Sequence, residues 1–169
     1  MTPLRHELML QEADTRLQAA DKLRQAGDES DSAYLLRLLA FELLLKAALE
    51  KATGKSGTHH RYHDLFAQLP STVQERLLSV ASERIGPSAL TSDPSGVLKD
   101  LGSNFIALRY PYEKYGHMTR SEYEQAGAAW VESGAEVASA DYRYHPEELF
   151  GLTFALQQHL DAAHAPLGR

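Results

Sequence analysis

The sequence predicts an all-α fold: an antiparallel bundle of four core helices, with further short and C-terminal helices, in a single domain over residues 1–169. Three observations carry this. Apolar residues recur at spacings of three and four in successive segments. Glycine and proline punctuate those segments where helices start and stop. No stretch alternates apolar and polar residues over the length of a strand, and no internal repeat is present.

The first helix starts at Thr2 and Pro3, a cap residue followed by a first-turn proline, and its apolar stripe runs through Leu10, Ala13, Leu17, Ala20 and Leu23 to a stop at Gly27. After the cap-forming "DESDS" a second helix runs from about Ser32 to Lys51 and ends at Gly54. So short a connection makes the two antiparallel neighbours. A polar loop, "TGKSGTHHRYHD", leads to a short helix in "HDLFAQLP" ended by Pro70. "STVQERLLSVASERIG" is then a helix with Ser71 as its cap. "GPSALTSDPSG" is the most loop-like stretch. "VLKDLGSNFIALRY" resumes helical spacing through Val97, Leu98, Leu101, Phe105, Ile106 and Leu108, and Pro111 should end or kink it. "SEYEQAGAAWVESGAEVASAD" reads as a further helix, and "HPEELFGLTFALQQHLDAAHAP" closes the fold, with Pro146, Glu147 and Glu148 in its first turn.

Composition narrows the function. With 43% hydrophobic and 24% charged residues the chain is globular rather than disordered. A net charge of −6 argues against a broad polyanion-binding surface, although a local basic patch is compatible with it. The absence of cysteine removes disulfides, thiolate metal sites and cysteine nucleophiles, and fits a cytoplasmic protein. "MTPLRHELML" lacks the apolar core of a signal peptide. The most apolar run carries Arg37, Glu42 and Lys46, each of which would cost about 2.5–3.5 kcal/mol at a bilayer centre. No membrane association is therefore expected.

Apolar side chains go almost all the way round the second helix, which places it in the middle of the bundle. The exceptions, Glu42, Lys46 and Glu50, follow one another at intervals of four and form a stripe of alternating charge. That stripe is either a solvated strip with helix ion pairs or a polar seam facing a cleft or a partner.

"AYLLRLLAFELLLKAALEKATGK", a polar loop, "HDLFAQLP" and a later helix ending in "NFIALRYPYE" together resemble the HEPN-domain family over about residues 30 to 118. The resemblance rests on Glu42 and Lys46, on His63-Asp64-Leu65 and on Arg109. It implies a helical bundle paired as a homodimer. It also implies one of two functions: a metal-independent endoribonuclease of toxin–antitoxin, defence or RNA-processing type, or a non-catalytic dimerisation or partner-binding module. In the latter the partner could be a nucleotidyltransferase-type antitoxin. Catalytic members use an arginine, an adjacent polar residue and a histidine.

The candidates for those roles are Arg109 and His117. Arginine can hold phosphate oxygens while staying charged, and histidine can transfer a proton near neutrality. The pattern departs from the family's, because seven residues separate the two and the arginine's neighbour is Tyr110. A continuous helix would put them about 12 Å apart along its axis. Pro111 and Gly116 would allow the chain to fold back. The alternative is plain: an arginine complementing a helix C-terminus and a loop histidine. Tyr110, with Tyr112 and Tyr115, either packs at an interface or stacks on bases.

The loop offers His59, His60, His63 and Asp64. His59 and His63 would share a face if helical, but a zinc site is disfavoured because one loop supplies too few ligands, so neither metal nor cofactor is expected. His63 and Asp64 instead open the short helix, Asp64 as its cap. With Lys51, Lys55 and Arg61 the loop is locally basic, and beside Arg109 it would form an anion-binding patch. The substrate-binding candidates are thus His63, Arg61, Tyr110, Lys46 and Glu42, for RNA or a nucleotide.

Overall fold

The structure, a computed structural model, describes residues 2–161. Among these it contains nine α-helices and no strand. They are α1 (Pro3–Gln25), α2 (Ser32–Thr53), α3 (Tyr62–Ala67), α4 (Ser71–Ile85), α5 (Ala89–Ser92), α6 (Pro94–Ala107), α7 (Pro111–Tyr115), α8 (Arg120–Glu132) and α9 (Pro146–Asp161), with a 3-10 turn at Val137–Ser139. The end of the predicted closing helix, from residue 162 on, lies outside the described residues.

Helix α2 is the axis of the bundle, with α1, α3, α6 and α9 all packed on it and α4 packed on α9. Its sequence explains that position. Leu38, Phe41, Leu44, Leu45 and Leu49 point to different neighbours and are all buried, as are the alanines Ala40, Ala47 and Ala48 that let those neighbours approach. The core continues through Leu65 and Tyr62 of α3, Leu77 of α4, Leu98, Leu101 and Phe105 of α6, and Leu149, Leu152 and Leu156 of α9.

Local chemistry sets most of the boundaries. Thr2 Oγ1 accepts from the Arg5 amide at 3.3 Å to start α1. Gly54 ends α2 in the left-handed conformation, φ 74°, which the absent Cβ makes cheap. Lys51 Nζ donates to the Leu160 carbonyl at 3.4 Å, so a cation of α2 sits at the C-terminal end of α9.

Several sequence-based boundaries differ. Ser71 is the first residue of α4 and not its cap, because Pro70 holds the cap position with φ −55° and ψ 142°. Asp64 lies inside the first turn of α3, pairing with Arg61 and His63, since α3 starts at the buried Tyr62 and Arg61 holds the cap position. The stretch predicted to be loop holds α5. There Ser88 Oγ accepts from the Leu90 amide, and the buried Glu148 of α9 accepts from the Ala89 amide at 3.2 Å. Ile106 faces outward, off the buried stripe of α6. Pro111 does break the helix, and it opens α7 as that helix's first residue.

The segment from α7 through the 3-10 turn stands off the bundle. No residue of α8 is buried, and Tyr123, Trp130, Val131 and Val137 are exposed. Its attachments lie at its base: Tyr115 meets Tyr123 edge-on at 5.0 Å, and Asp141 accepts from Tyr115 Oη and pairs with Lys114. Those two donors hold the Asp141 carboxyl below the usual carboxylate range.

His159 of α9 is held below its ordinary value, first by burial and then by Arg76 and Lys51. A depressed histidine favours the neutral form in the fold. Its contribution to stability is complete above the unfolded value of about 6.5 and is lost as pH falls through the lower folded value. We therefore expect His159→Gln to lose less unfolding free energy than the wild type between about pH 7.5 and about pH 5, measured by urea denaturation.

Candidate functional site

The polar stripe of α2 is neither solvated nor open to a cleft, because the loop between α2 and α3 lies over it. Glu42 is only 4% exposed and accepts from Lys46 Nζ at 2.7 Å. Both of its oxygens also lie 2.9 Å from Nδ1 of His60, which the loop brings back onto α2. Glu50, one turn beyond Lys46, is buried as well; it pairs with Arg5 of α1 at 3.2 Å and accepts from Ser56 Oγ of the loop at 3.2 Å. Alternating charge along one helix face has thus become two buried carboxylates, each tied to a different part of the chain.

Two glycines let the loop lie there. A Cβ on Gly57 would stand 2.7 Å from Leu65 Cδ2 and 3.0 Å from Lys46 Cγ. A Cβ on Gly102 of α6 would meet the His60 carbonyl at 3.1 Å and the Tyr62 amide at 3.2 Å. Helix α6 therefore touches the loop backbone where His60 leaves it. Tyr62 anchors the next step: fully buried, it donates to the Leu38 carbonyl at 3.1 Å and packs edge-on against Phe41. Burial, followed by the negative charge of Glu42, pushes its phenol well above its ordinary value, so it stays a donor.

With His60 and Tyr62 placed, Phe105 of α6 forms the floor of the site. The His60 ring lies 5.3 Å from the Phe105 ring, and Arg109 Cζ sits 4.8 Å from that ring's centre. Arg109 follows the end of α6, is exposed, and leaves its in-plane N–H groups free of the ring face. His60 has one ring nitrogen on Glu42, and its side chain is 43% exposed, so the other nitrogen is available to solvent or ligand. An arginine and a carboxylate-held histidine thus share one aromatic platform.

The same helix is clamped from the other side. Asn104, buried, donates to the Arg143 carbonyl at 2.8 Å and to Tyr34 Oη at 3.2 Å. Asp100 pairs with Arg143 and with His145 Nε2, each at 2.9 Å. Tyr34 donates in turn to the Tyr144 carbonyl at 2.6 Å.

The residues singled out in the sequence divide accordingly. Arg109 stands at Phe105, whereas His117 lies exposed in the turn before α8. Glu42 and Lys46 lie under the loop as each other's partners. Arg61 and His63 are both engaged with Asp64, at 2.9 Å and 3.1 Å. Tyr110 is exposed beside Tyr112, ring centres 6.2 Å apart. Among the described residues no group of three or more His, Asp or Glu could hold a metal ion.

His60, Phe105 and Asn104 were not singled out as site residues. The sequence did contain a signal for Asn104: Asp100 and Asn104 are polar positions one turn apart beside the apolar stripe of α6. For His60 nothing local distinguishes it from His59 and His63. Its role comes from a carboxylate 18 residues earlier.

Fold and site together define an all-α domain whose central helix buries charge beneath a histidine-bearing loop, with Arg109, which has no carboxylate partner among the described residues, at the end of α6. A family model for the HEPN domain matches residues 6–129. The chain belongs to the HEPN-domain family, whose members are in general associated with nucleotides or RNA. Neither the curated proteins nor the solved structures searched gave a match. Among the described residues no helix is long and apolar enough to cross a membrane.

The buried pair makes a direct prediction. Glu42→Ala leaves Lys46, whose side chain is only 17% exposed, without its carboxylate, and should cost about 3 kcal/mol in urea unfolding. Glu42→Gln keeps the shape and an acceptor and should cost less.

Proposed function

We propose that this chain acts on RNA as a metal-independent endoribonuclease of defence or toxin–antitoxin type, working as a homodimer. In this reading Arg109 holds a phosphate, and a histidine moves the proton between the attacking 2′-hydroxyl and the leaving oxygen. The observation that supports it is the pairing of Arg109 and His60 on the Phe105 ring, with Glu42 behind the imidazole. A buried carboxylate that accepts from one ring nitrogen fixes the ring's orientation and leaves the other nitrogen for the substrate. Arg109 supplies a charge for the phosphorane that deprotonation cannot remove. His60 thereby takes the place that the sequence resemblance assigns to His117.

The test is cleavage of mixed structured and single-stranded RNA in chelator. Arg109→Ala and His60→Gln should each lower the rate by about 100-fold or more with the fold intact, while His117→Ala should change it by less than about threefold. Loss in His117→Ala with His60→Gln unaffected would return the proton-transfer role to His117.

A second reading, a non-catalytic partner-binding module, is favoured by α8. A lone helix of this length is marginal in water, yet α8 presents Tyr123, Trp130 and Val131 with none of its residues buried. From residue 113 to 141 there are six acidic residues against Lys114 and Arg120, which suits a protein surface better than RNA. Trp130 is the single tryptophan and reports on this segment directly. If α8 is the interaction element, acrylamide quenching of its fluorescence should fall severalfold when protein concentration is raised or a nucleotidyltransferase-type partner is added. Quenching unchanged under both conditions would exclude that role for α8.

A further inference from the structure

A groove of about 930 Å³ lies between the C-terminal part of α1, the start of α2, the end of α4 and the first half of α9. It shares no lining residue with the Glu42, His60 and Arg109 cluster. Its size falls within the ordinary range of small-molecule sites, about 300–1,000 Å³. Its apolar lining includes Leu17, Ala33, Ile85 and Leu149, and two aromatic rings, Phe150 and Phe154, complete it.

Two arginines of this groove have unused donors. Arg84 lies with its Cζ 4.9 Å from the Phe154 ring centre and 5.5 Å from that of Phe150. Stacking engages the flat face of a guanidinium and leaves its in-plane N–H groups pointing away from the rings. Among the described residues no carboxylate pairs with Arg84. Arg37 donates through Nη2 to Asp21, while its Nε is fully buried and has no acceptor among the described residues. An atom closed to water is closed to a ligand oxygen as well, so the donors this groove offers a ligand are those of Arg84.

The acidic residues of the lining limit what that ligand can be. Asp21 is taken by Arg37, and Asp28 accepts from the Ser30 amide and hydroxyl. Glu29 and Glu147 are exposed and without a cation partner among the described residues. A polyphosphate or a nucleic-acid backbone would meet these carboxylates, whereas one compact negative charge can be seated at Arg84, which no carboxylate pairs with among the described residues. Phe150 is 48% exposed, so its ring remains open to an apolar body.

We propose that this groove binds a small organic monoanion, with its carboxylate at Arg84 and its apolar body on Phe150 and Phe154. The probes are 3-phenylpropionate and its uncharged counterpart 3-phenylpropan-1-ol, titrated into the full chain and followed by calorimetry and NMR. The carboxylate should bind saturably and about tenfold or more tightly than the alcohol. Arg84→Ala should abolish that preference, and Arg109→Ala should leave it unchanged. Arg84 is exposed, so its variant should keep the fold. Equal binding of acid and alcohol, wild-type binding by Arg84→Ala, or no saturable binding up to about 10 mM would each overturn the proposal.

Discussion

Glu42 is a carboxylate inside a helical bundle, and much of the molecule is arranged to keep it paired. An isolated charge in such a place would cost several kcal/mol, so its partners are requirements of the fold. Lys46 comes from the same helix one turn on. His60 comes from the loop, and to deliver it the chain from Gly54 onward must lie flat on α2. That path is possible because Gly57 fits against Lys46 and Leu65, and because Gly102 lets α6 close on the loop from the far side. Phe105 and Arg109 then stand where they do because α6 is pressed against His60 and Tyr62. Arg109 and the held histidine thus both stand at the Phe105 ring as a consequence of how one buried charge is satisfied.

A second set of polar contacts fixes α6 from the opposite side. Asn104 and Asp100 bind the backbone and side chains of the segment that leads into α9, and Tyr34 of α2 joins them. Burial and the nearby Asp31 push the Tyr144 phenol up to about 12, so it remains a donor to that carboxylate. Residues Arg143 and His145 are therefore anchored to α6, which itself ends just before Arg109. Everything between, α7, α8 and the 3-10 turn, is a long excursion held at both of its ends and standing off the bundle in the middle.

This arrangement separates two kinds of surface. The stretch from Lys51 to His63, with Arg109, is basic and polar, and its Tyr62 is buried. The excursion is acidic and exposes aromatic and aliphatic side chains. The first suits the phosphate contact proposed for Arg109, and the second the partner contact proposed for α8. The chain therefore has room for both readings of its family without one surface having to serve both.

The sequence by itself determined what depends on near neighbours. Helical periodicity, the Thr2 cap, the Gly54 stop, the break at Pro111 and the all-apolar circumference of α2 are properties of residues a few positions apart, and they predicted the class of fold and its central helix. The stripe of Glu42, Lys46 and Glu50 was equally legible as a pattern. Its burial was not, since that depends on a loop lying across it. The same limit explains the site. Arg109 stood out because it ends an apolar helix, but among three loop histidines only the tertiary structure selects His60, through a carboxylate far away in sequence and a glycine farther still. Asp64 was misplaced as a cap for a related reason: Tyr62 is drawn into the core as the first residue of α3, which puts the cap at Arg61. Side-chain chemistry and spacing decide which helices form, whereas which charges end up buried together is decided when those helices pack, because only then does an unpaired charge become expensive.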